Sequence, residues 1–186
     1  MISIHFATTN QNKYLESQAI LQQYDISIKY YKVGLTEIQS DSIEIIAIEK
    51  AKNAFVEISR PVIVEDDGLF IDELNSFPGQ YSSYVYKTIG NSGILKLLLN
   101  SKKRSAIFRS FFAFYDGENK PKGFQGETHG RISNRITAGG WGYDPIFIPT
   151  GSHLTFGQLQ IRNRKIEFSH RTKALKQFAK WYKNSY

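Results

Sequence analysis

The sequence predicts an α/β fold with a mixed, twisted sheet flanked by helices. Apolar residues alternate over 2–7, which is typical of a strand, and recur every three or four positions over 43–58, which indicates an amphipathic helix. Residues 105–115 form a long aromatic strand pattern that can pair with 122–132 as a hairpin. Such alternation favours a single α/β domain over 1–186, and the hairpin would project as a second lobe beside a central cleft.

The first half of the chain alternates between strand and helix patterns. Its first strand places Ile2, Ile4 and Phe6 on one face. Asp41 and Glu44 have the spacing of a capping box, which predicts the start of the second helix. In chain order, the predicted elements are strand 2–7, helix 11–23, strand 26–33, the capped helix ending near Ile58, and a short buried strand 62–64.

The second half contains two further helix patterns around the aromatic hairpin. Residues 88–100 predict a helix whose leucines are buried on most sides. The hairpin turns at residues 116–119. A last helix is predicted from Ser169, with an apolar stripe opposite a row of lysines. The stripe consists of Leu175, Phe178, Ala179 and Tyr182, and the lysines are Lys176, Lys180 and Lys183.

Composition limits the classes of function. The formal charge of +7 suits an anionic partner such as a nucleotide, a nucleic acid or an acidic surface, although a well-solvated lysine-rich surface gives the same value. The chain has no cysteine, which excludes thiolate chemistry and fits a cytoplasmic setting. No apolar run is long enough to predict a membrane span, and no signal peptide is expected.

Polar side chains follow the first strand, where a helix is predicted to begin. A helix N-terminus directs backbone N–H groups and a positive partial charge at one point, and Lys13 adds a full charge. This arrangement predicts a phosphate site, although an ordinary capped turn fits the same residues and the glycines of a Walker loop are missing. The residues are Thr8, Thr9, Asn10, Gln11, Asn12 and Lys13.

Glu65, Asp66 and Asp67 stand together at the predicted end of the buried strand. Crowded carboxylates need a cation or donors to compensate their repulsion, and oxygen ligands suit Mg²⁺. Strand alternation sends Asp66 to one side and the other two to the opposite side. An exposed acidic turn is the alternative. Glu37, taken by itself, reads as a surface glutamate.

Two later segments carry groups that can face a nucleotide. The glycine-rich residues 137–145 hold Trp141 and Tyr143, whose rings can stack on a base or close the core as part of a turn. Farther along, His170 and Arg171 begin the final helix and offer donors to a carbonyl or a phosphate.

These segments together resemble the inosine/xanthosine triphosphate pyrophosphatase family over nearly the whole chain. The resemblance implies an elongated α/β fold with two lobes around a central cleft, a Mg²⁺ requirement and a homodimer. It also implies hydrolysis of ITP, dITP and XTP to the monophosphate and pyrophosphate. The motifs that carry it are TTNQNK at 8–13, VEDDGL at 64–69, FPGQYS at 77–82, WGYDP at 141–145 and SHR at 169–171.

The resemblance also implies roles for individual residues. Residues 8–13 would hold the phosphates, with Lys13 neutralising charge during catalysis. Glu37 and Asp66 would bind the metal, and Asp66 would act as the general base. The remaining substrate-binding candidates are Asp67, Trp141, Gly142, Tyr143, Asp144, Lys165, His170 and Arg171.

Two residues depart from the family pattern, and two other functions stay open. Asp67 replaces a small residue, which affects metal number or affinity, and Trp141 replaces a common phenylalanine, which affects the fit of the base.

A Maf-like pyrophosphatase for modified pyrimidine nucleotides is one alternative. A nucleic-acid-binding module using the basic residues 102–104 and 162–165 is the other, although the acidic triplet would repel a polyanion. We therefore expect a purine triphosphate as partner, and neither a membrane nor a nucleic acid.

Overall fold

Seven strands and six α-helices follow one another in the computed structural model, which describes residues 4–36 and 38–186. The strands are β1 Ile4–Ala7, β2 Ile28–Tyr31, β3 Val62–Ile71, β4 Pro78–Gly79, β5 Ser105–Tyr115, β6 Lys122–Ile132 and β7 Phe147–Pro149. The helices are α1 Gln11–Gln22, α2 Ile43–Ile58, α3 Ser82–Thr88, α4 Gly90–Leu97, α5 Phe156–Ile161 and α6 His170–Ser185.

The strands belong to one mixed sheet in the order β2-β1-β3-β5-β6-β7, with β4 paired to β3 outside this path. β1 pairs in parallel with both β2 and β3, whereas β3–β4 and β6–β7 are antiparallel. The predicted α/β class with a mixed sheet and flanking helices is therefore confirmed, as is the pairing of β5 with β6. Among the described residues, no helix combines the length and apolarity needed to cross a membrane.

The chain divides into two compact units. The first unit contains the described residues of Met1–Asp66, together with Ser110–Gly126 and Arg171–Tyr186. The second unit contains Asp67–Arg109 and Glu127–His170. Each unit has its own apolar core and its own share of the candidate site residues.

The core of the first unit is rich in aromatic rings. Phe6 of β1 lies 6.0 Å from Phe112 of β5, measured between ring centroids. Phe178 of α6 packs at 5.9 Å against Phe114. Most of the predicted apolar stripe of α6 is buried and its predicted lysines are exposed, so the period of that helix is confirmed.

The start of α2 differs from the prediction by one residue. Ser42, and not Asp41, is the N-cap, and its hydroxyl accepts a hydrogen bond from the Ile45 backbone N–H at 3.3 Å. Glu44 consequently lies at the second helical position, where no capping box forms with Asp41. The later start leaves Ile43 as a buried residue in the first turn.

The second unit packs around Leu69, Phe108 and Phe156, and its helix α4 is less buried than predicted. Ile94 is fully buried, but Leu97 and Leu99 are 54% and 78% exposed, so the prediction that they are buried is wrong. Ile94 and Leu98, four residues apart, are both fully buried on one face, and this period turns Leu97 and Leu99 away from the core.

The acidic triplet lies inside a strand and not at its end, which corrects the prediction of a short strand over 62–64. β3 continues to Ile71 because Leu69 and Ile71 enter the core of the second unit. Gly68 permits this continuation, since a Cβ there would collide with the backbone of Gly79 in β4. Ile2, which we placed on the first strand, lies outside the described residues.

Candidate functional site

The turn after β1 is closed by its own side chains. The Asn10 backbone N–H donates to Oγ1 of Thr8 at 3.1 Å. Asn10 is the N-cap of α1, and its side-chain oxygen accepts from the backbone N–H groups of Asn12 at 3.0 Å and Lys13 at 3.4 Å. The cap explains why the helix begins at Gln11, since it satisfies donors that have no partner within the helix.

A buried ionic cluster lies beside this turn in the first unit. The side chain of Glu65 is 0% exposed, and its carboxylate accepts from Ser110 Oγ at 2.6 Å and from Arg171 Nε at 3.0 Å. Lys13 Nζ lies 3.9 Å from the same carboxylate. Arg171 also donates to Glu16 at 3.0 Å through Nη1. Two cations thus compensate the buried Glu65 charge, as a buried carboxylate requires.

The neighbouring carboxylate points toward a different lysine. Oδ1 of Asp66 lies 4.0 Å from Nζ of Lys50 in α2, and both side chains are nearly buried. The alternation along β3 therefore gives Glu65 and Asp66 separate cationic neighbours in the first unit. At 4.0 Å, this contact between Lys50 and Asp66 is an ion pair, since it exceeds the length of a hydrogen bond.

His170 is enclosed by aromatic rings in the second unit. Its imidazole stacks on Phe108 with ring centroids 4.8 Å apart and an interplanar angle of 5°. Phe156 lies farther away, at 6.2 Å. Nε2 of His170 is 4.0 Å from a carboxylate oxygen of Asp67. The rings fix the plane of the imidazole, and Asp67 places a negative charge near its edge.

A second ionic group forms around the loop of residues 139–144, which we call the 139–144 loop. Nζ of Lys165 donates to Oδ2 of Asp144 at 2.7 Å, and both side chains are about 95% buried. The same carboxylate oxygen accepts from the Trp141 backbone N–H at 3.1 Å. Lys165 Nζ also lies 5.3 Å from the centroid of the Trp141 ring. This cation–π contact and the Asp144 bond hold the half-buried tryptophan against a fixed charge.

Tyr143 of the same loop is part of the core of the second unit. It is 4% exposed, and its hydroxyl donates to the backbone carbonyl of Ser82 at 3.0 Å. Burial, with a smaller contribution from Tyr86, raises the pKa of the Tyr143 phenol well above its ordinary value. The group therefore stays protonated and acts as a donor throughout the neutral range.

The chain matches the family model described as the Ham1 family over residues 4–181. A protein of Methanopyrus kandleri named dITP/XTP pyrophosphatase is 47% identical over 185 residues. The matched region covers 99% of this chain and 98% of that relative. The chain belongs to the Ham1 family.

Other Ham1 relatives agree in sequence and in structure. A dITP/XTP pyrophosphatase of Pyrococcus horikoshii is 44% identical over 184 residues, covering 98% of this chain and 97% of its own. The structure of a HAM1 protein from Coxiella burnetii has a TM-score of 0.86 at 30% identity and covers 100% of both chains. The Staphylococcus aureus Ham1 protein has a TM-score of 0.83 at 26% identity, covering 99% of this chain and 100% of its own.

In this Ham1 chain, the predicted site residues fall into three local groups. Thr8, Asn10 and Lys13 shape the start of α1, and Lys13 reaches Glu65. Arg171 joins this first group through Glu65, and Asp66 lies next to Glu65 and pairs with Lys50. The 139–144 loop forms the second group with Lys165, and Asp67 with His170 forms the third. Three further candidates, Thr9, Gln11 and Asn12, are exposed at the start of α1. Glu37, the predicted second metal ligand, lies outside the described residues.

Several residues of these groups were missed by the sequence reasoning. Lys50 occupies a position on the apolar stripe of α2, three residues after Ala47 and four before Ala54, and a lysine on a buried stripe is a usable signal. Glu16 lies one helical turn after Lys13 and gives a weaker signal. Ser110 and Phe108 carry none, because both fit an ordinary strand pattern.

Proposed function

We propose that this Ham1 protein hydrolyses the triphosphates of deaminated purines (dITP, XTP and ITP) to the monophosphate and pyrophosphate. The observation that carries the proposal is the 3.9 Å approach of Lys13 Nζ to Glu65. It brings the anion-binding start of α1 beside Glu65, the residue next to Asp66 in β3, within one unit. The relatives named dITP/XTP pyrophosphatase support the choice of substrate.

Mg²⁺ is part of the proposal, and the donor chemistry of β3 fits it. Carboxylate oxygens are the ligands this ion prefers, and Asp66 supplies one from a rigid strand. Glu65 is committed to Ser110 and Arg171, which favours Asp66 as the principal ligand, with Glu37 as the proposed second ligand. When bound, the ion would neutralise phosphate charge and lower the pKa of a coordinated water.

The chain's own residues suit attack of water on the α-phosphorus. Asp66 is proposed to accept the proton of the attacking water, and Lys50 lies 4.0 Å from its Oδ1. Lys13 and the first N–H groups of α1 would stabilise the charge that develops on the pyrophosphate leaving group. The bond between the α-phosphorus and the bridging oxygen breaks as the water oxygen bonds to the phosphorus.

Selection of the base is assigned to groups of the second unit. Hypoxanthine and xanthine carry a 6-oxo acceptor, whereas adenine carries an amino donor there. Donors such as His170 would pair with the oxo group and would face a second donor when adenine binds. Sites that require a particular hydrogen bond discriminate by about 10⁴-fold. Trp141 is proposed to stack on the base. Lys165, held by Asp144, contacts the Trp141 ring.

A panel of nucleoside triphosphates tests this function. The purified protein is incubated with dITP, XTP, dATP, dGTP and dCTP, with Mg²⁺ or with EDTA, and pyrophosphate is measured separately from orthophosphate. We expect Mg²⁺-dependent pyrophosphate release from dITP and XTP and much slower release from the others. Guanine shares the 6-oxo group, so rejection of dGTP has to act on its 2-amino group. Preferential turnover of dCTP would favour the pyrimidine-directed alternative, and orthophosphate as the product would refute the proposed reaction.

Two further properties are proposed on the family resemblance: assembly as a homodimer and a cytoplasmic location. Light scattering coupled to size-exclusion chromatography tests the first, because the monomer mass is 21.3 kDa. A single species at that mass across micromolar concentrations would contradict the dimer. Fractionation of cells that express the tagged chain tests the second.

A further inference from the structure

We propose that Asn91 of α4 is a positioning residue that holds the 139–144 loop in the shape needed to bind the base. The inference rests on the proposed function, since that function assigns Trp141 of this loop to base stacking. Asn91 and the loop both belong to the second unit. They are 51 residues apart in sequence, and Nδ2 of Asn91 donates to the backbone carbonyl of Gly142 at 3.0 Å.

The loop needs an external restraint because its backbone is permissive. Gly139, Gly140 and Gly142 have φ angles of 86°, 69° and 58°, all in the left-handed region. Glycine has the largest conformational freedom to lose when it is ordered. A Cβ at Gly142 would meet nothing within 4 Å, whereas a Cβ at Gly139 or at Gly140 would collide with an atom at 2.4 Å. Of the three glycines, the one with open space at the Cβ position is therefore the one that accepts from Asn91.

The orientation of the Asn91 amide follows from its partner. A carbonyl oxygen only accepts, so the NH₂ group must face Gly142. The other end of the amide, Oδ1, is buried and has no hydrogen-bond partner within the described ranges 4–36 and 38–186. An unsatisfied buried acceptor is costly. An apolar side chain at position 91 would not bury an unsatisfied acceptor. The bond from Nδ2 to Gly142 is therefore the favourable contact that accounts for an asparagine at this position.

A second anchor lies on the other side of Gly142. The hydroxyl of Tyr143 donates to Ser82 at the start of α3, while Asn91 is in the first turn of α4. The two helices thereby contact consecutive loop residues: α4 binds the carbonyl of Gly142, and α3 accepts from the hydroxyl of Tyr143. Trp141 immediately precedes this pair, and its backbone N–H is bonded to Asp144. Trp141 and Gly142 share a peptide bond, so we expect a shift of the Gly142 carbonyl to move the Trp141 ring relative to Lys165.

A restraint of this kind acts on binding more than on chemistry. A preformed loop loses less freedom when the base docks, so weakening the restraint raises KM and leaves kcat nearly unchanged. Loss of one neutral hydrogen bond corresponds to a change of about three- to tenfold in a binding constant. No group that contacts the phosphates is altered by a change at Asn91.

Asn91→Asp is the sharpest test, because it keeps the shape of the side chain and replaces the donor with an oxygen that faces the carbonyl. A negative charge in the first turn of a helix is not unfavourable to the helix, so destabilisation of α4 does not explain the result. Asn91→Ser is the second variant, in case the charge disturbs folding. The control is Ser92→Asp, which adds the same charge to the next, exposed residue of α4.

Steady-state kinetics with dITP and the fluorescence of Trp141 give independent readouts. The chain has two tryptophans, so the fluorescence variants are made in a Trp181→Phe background. We expect KM to rise about fivefold with kcat within about twofold of the parent, and acrylamide quenching of Trp141 to increase without nucleotide. The Ser92→Asp control should match the parent in both readouts.

Unchanged KM and unchanged quenching in both Asn91 variants would overturn the proposal, and so would a fall in kcat at constant KM. If the parent releases no pyrophosphate from any nucleotide, the proposed function fails by itself. The quenching of Trp141 in the nucleotide-free protein then decides whether Asn91 holds the loop.

Discussion

Replacing Glu65 with glutamine should destabilise the protein strongly, although the side chain keeps its size. The Glu65 side chain is 0% exposed and faces Arg171, whose own side chain is 2% exposed, with Nε 2.9 Å from Oε1. Lys13 adds a second positive charge at 3.9 Å. Glutamine still accepts one hydrogen bond but removes the negative charge, so Arg171 and Lys13 face each other with less compensation.

The expected loss follows from the burial of this pair. Removing one partner of a buried ion pair costs about 3–5 kcal/mol, because the other charge stays desolvated. Arg171 retains its bond to Glu16 at 3.0 Å, so we expect the lower end of this range, about 3 kcal/mol. Urea unfolding followed by circular dichroism measures it, and the midpoint should fall by roughly 1–2 M for an ordinary denaturant slope.

Glu49→Gln is the matched control, because Glu49 is a half-exposed carboxylate paired with Lys52 at 2.6 Å. Such a surface pair contributes about 0.2–1 kcal/mol, so its removal should hardly move the midpoint. Equal midpoints for the Glu65 and Glu49 variants would refute the argument that burial makes the Glu65 cluster important. The double variant Glu65→Gln with Arg171→Met should regain part of the lost free energy of unfolding, since it removes the buried Arg171 charge that Glu65 no longer compensates.

Three further predictions test catalysis and pH dependence. Asp66→Asn should lower kcat for dITP at least about a hundredfold, since it removes the proposed proton acceptor, while the thermal unfolding midpoint stays near that of the parent. Lys13→Met should lower kcat/KM about a hundredfold in the same pyrophosphate assay by removing charge stabilisation from the leaving group. At Asp116, desolvation would raise the pKa, but hydrogen bonds from Tyr186, Asn119 and Glu118 outweigh it and hold the pKa well below its ordinary value. Because the unfolded chain then binds the proton more readily, Asp116 should stabilise the protein at neutral pH and lose that effect as pH falls below about 4. Asp116→Asn should therefore lower the urea midpoint at pH 7 more than at pH 3, and an equal effect at both values would contradict this.

Much of the fold was predictable where the pattern was long and regular. β5, β6 and α6 follow an uninterrupted period, and their predicted positions agree with the structure within a residue. β3 was predicted too short because three carboxylates and Gly68 interrupt the apolar signal, while the continuation depends on pairing with β4. The short elements β4, α3, β7 and α5 were not predicted, since a few residues give no usable period.

The candidate site was predictable where its residues are neighbours in sequence. The capped turn from Thr8 to Lys13 is local, so residue types and spacing indicate it directly. The partners of Glu65 and Asp66 come from other elements, and only the fold brings Ser110 and Lys50 to them. Asn91 illustrates the same limit: nothing in its surroundings along the chain indicates that it bonds to a loop 51 residues away.

The central claim is that water attacks the α-phosphorus of a deaminated purine triphosphate, and isotope labelling tests it most directly. The protein is allowed to turn over dITP in ¹⁸O-enriched water with Mg²⁺, and both products are analysed by mass spectrometry. Our account predicts one labelled oxygen in the nucleoside monophosphate and none in pyrophosphate. Label in pyrophosphate, or in released orthophosphate, would place the attack on another phosphorus and contradict it.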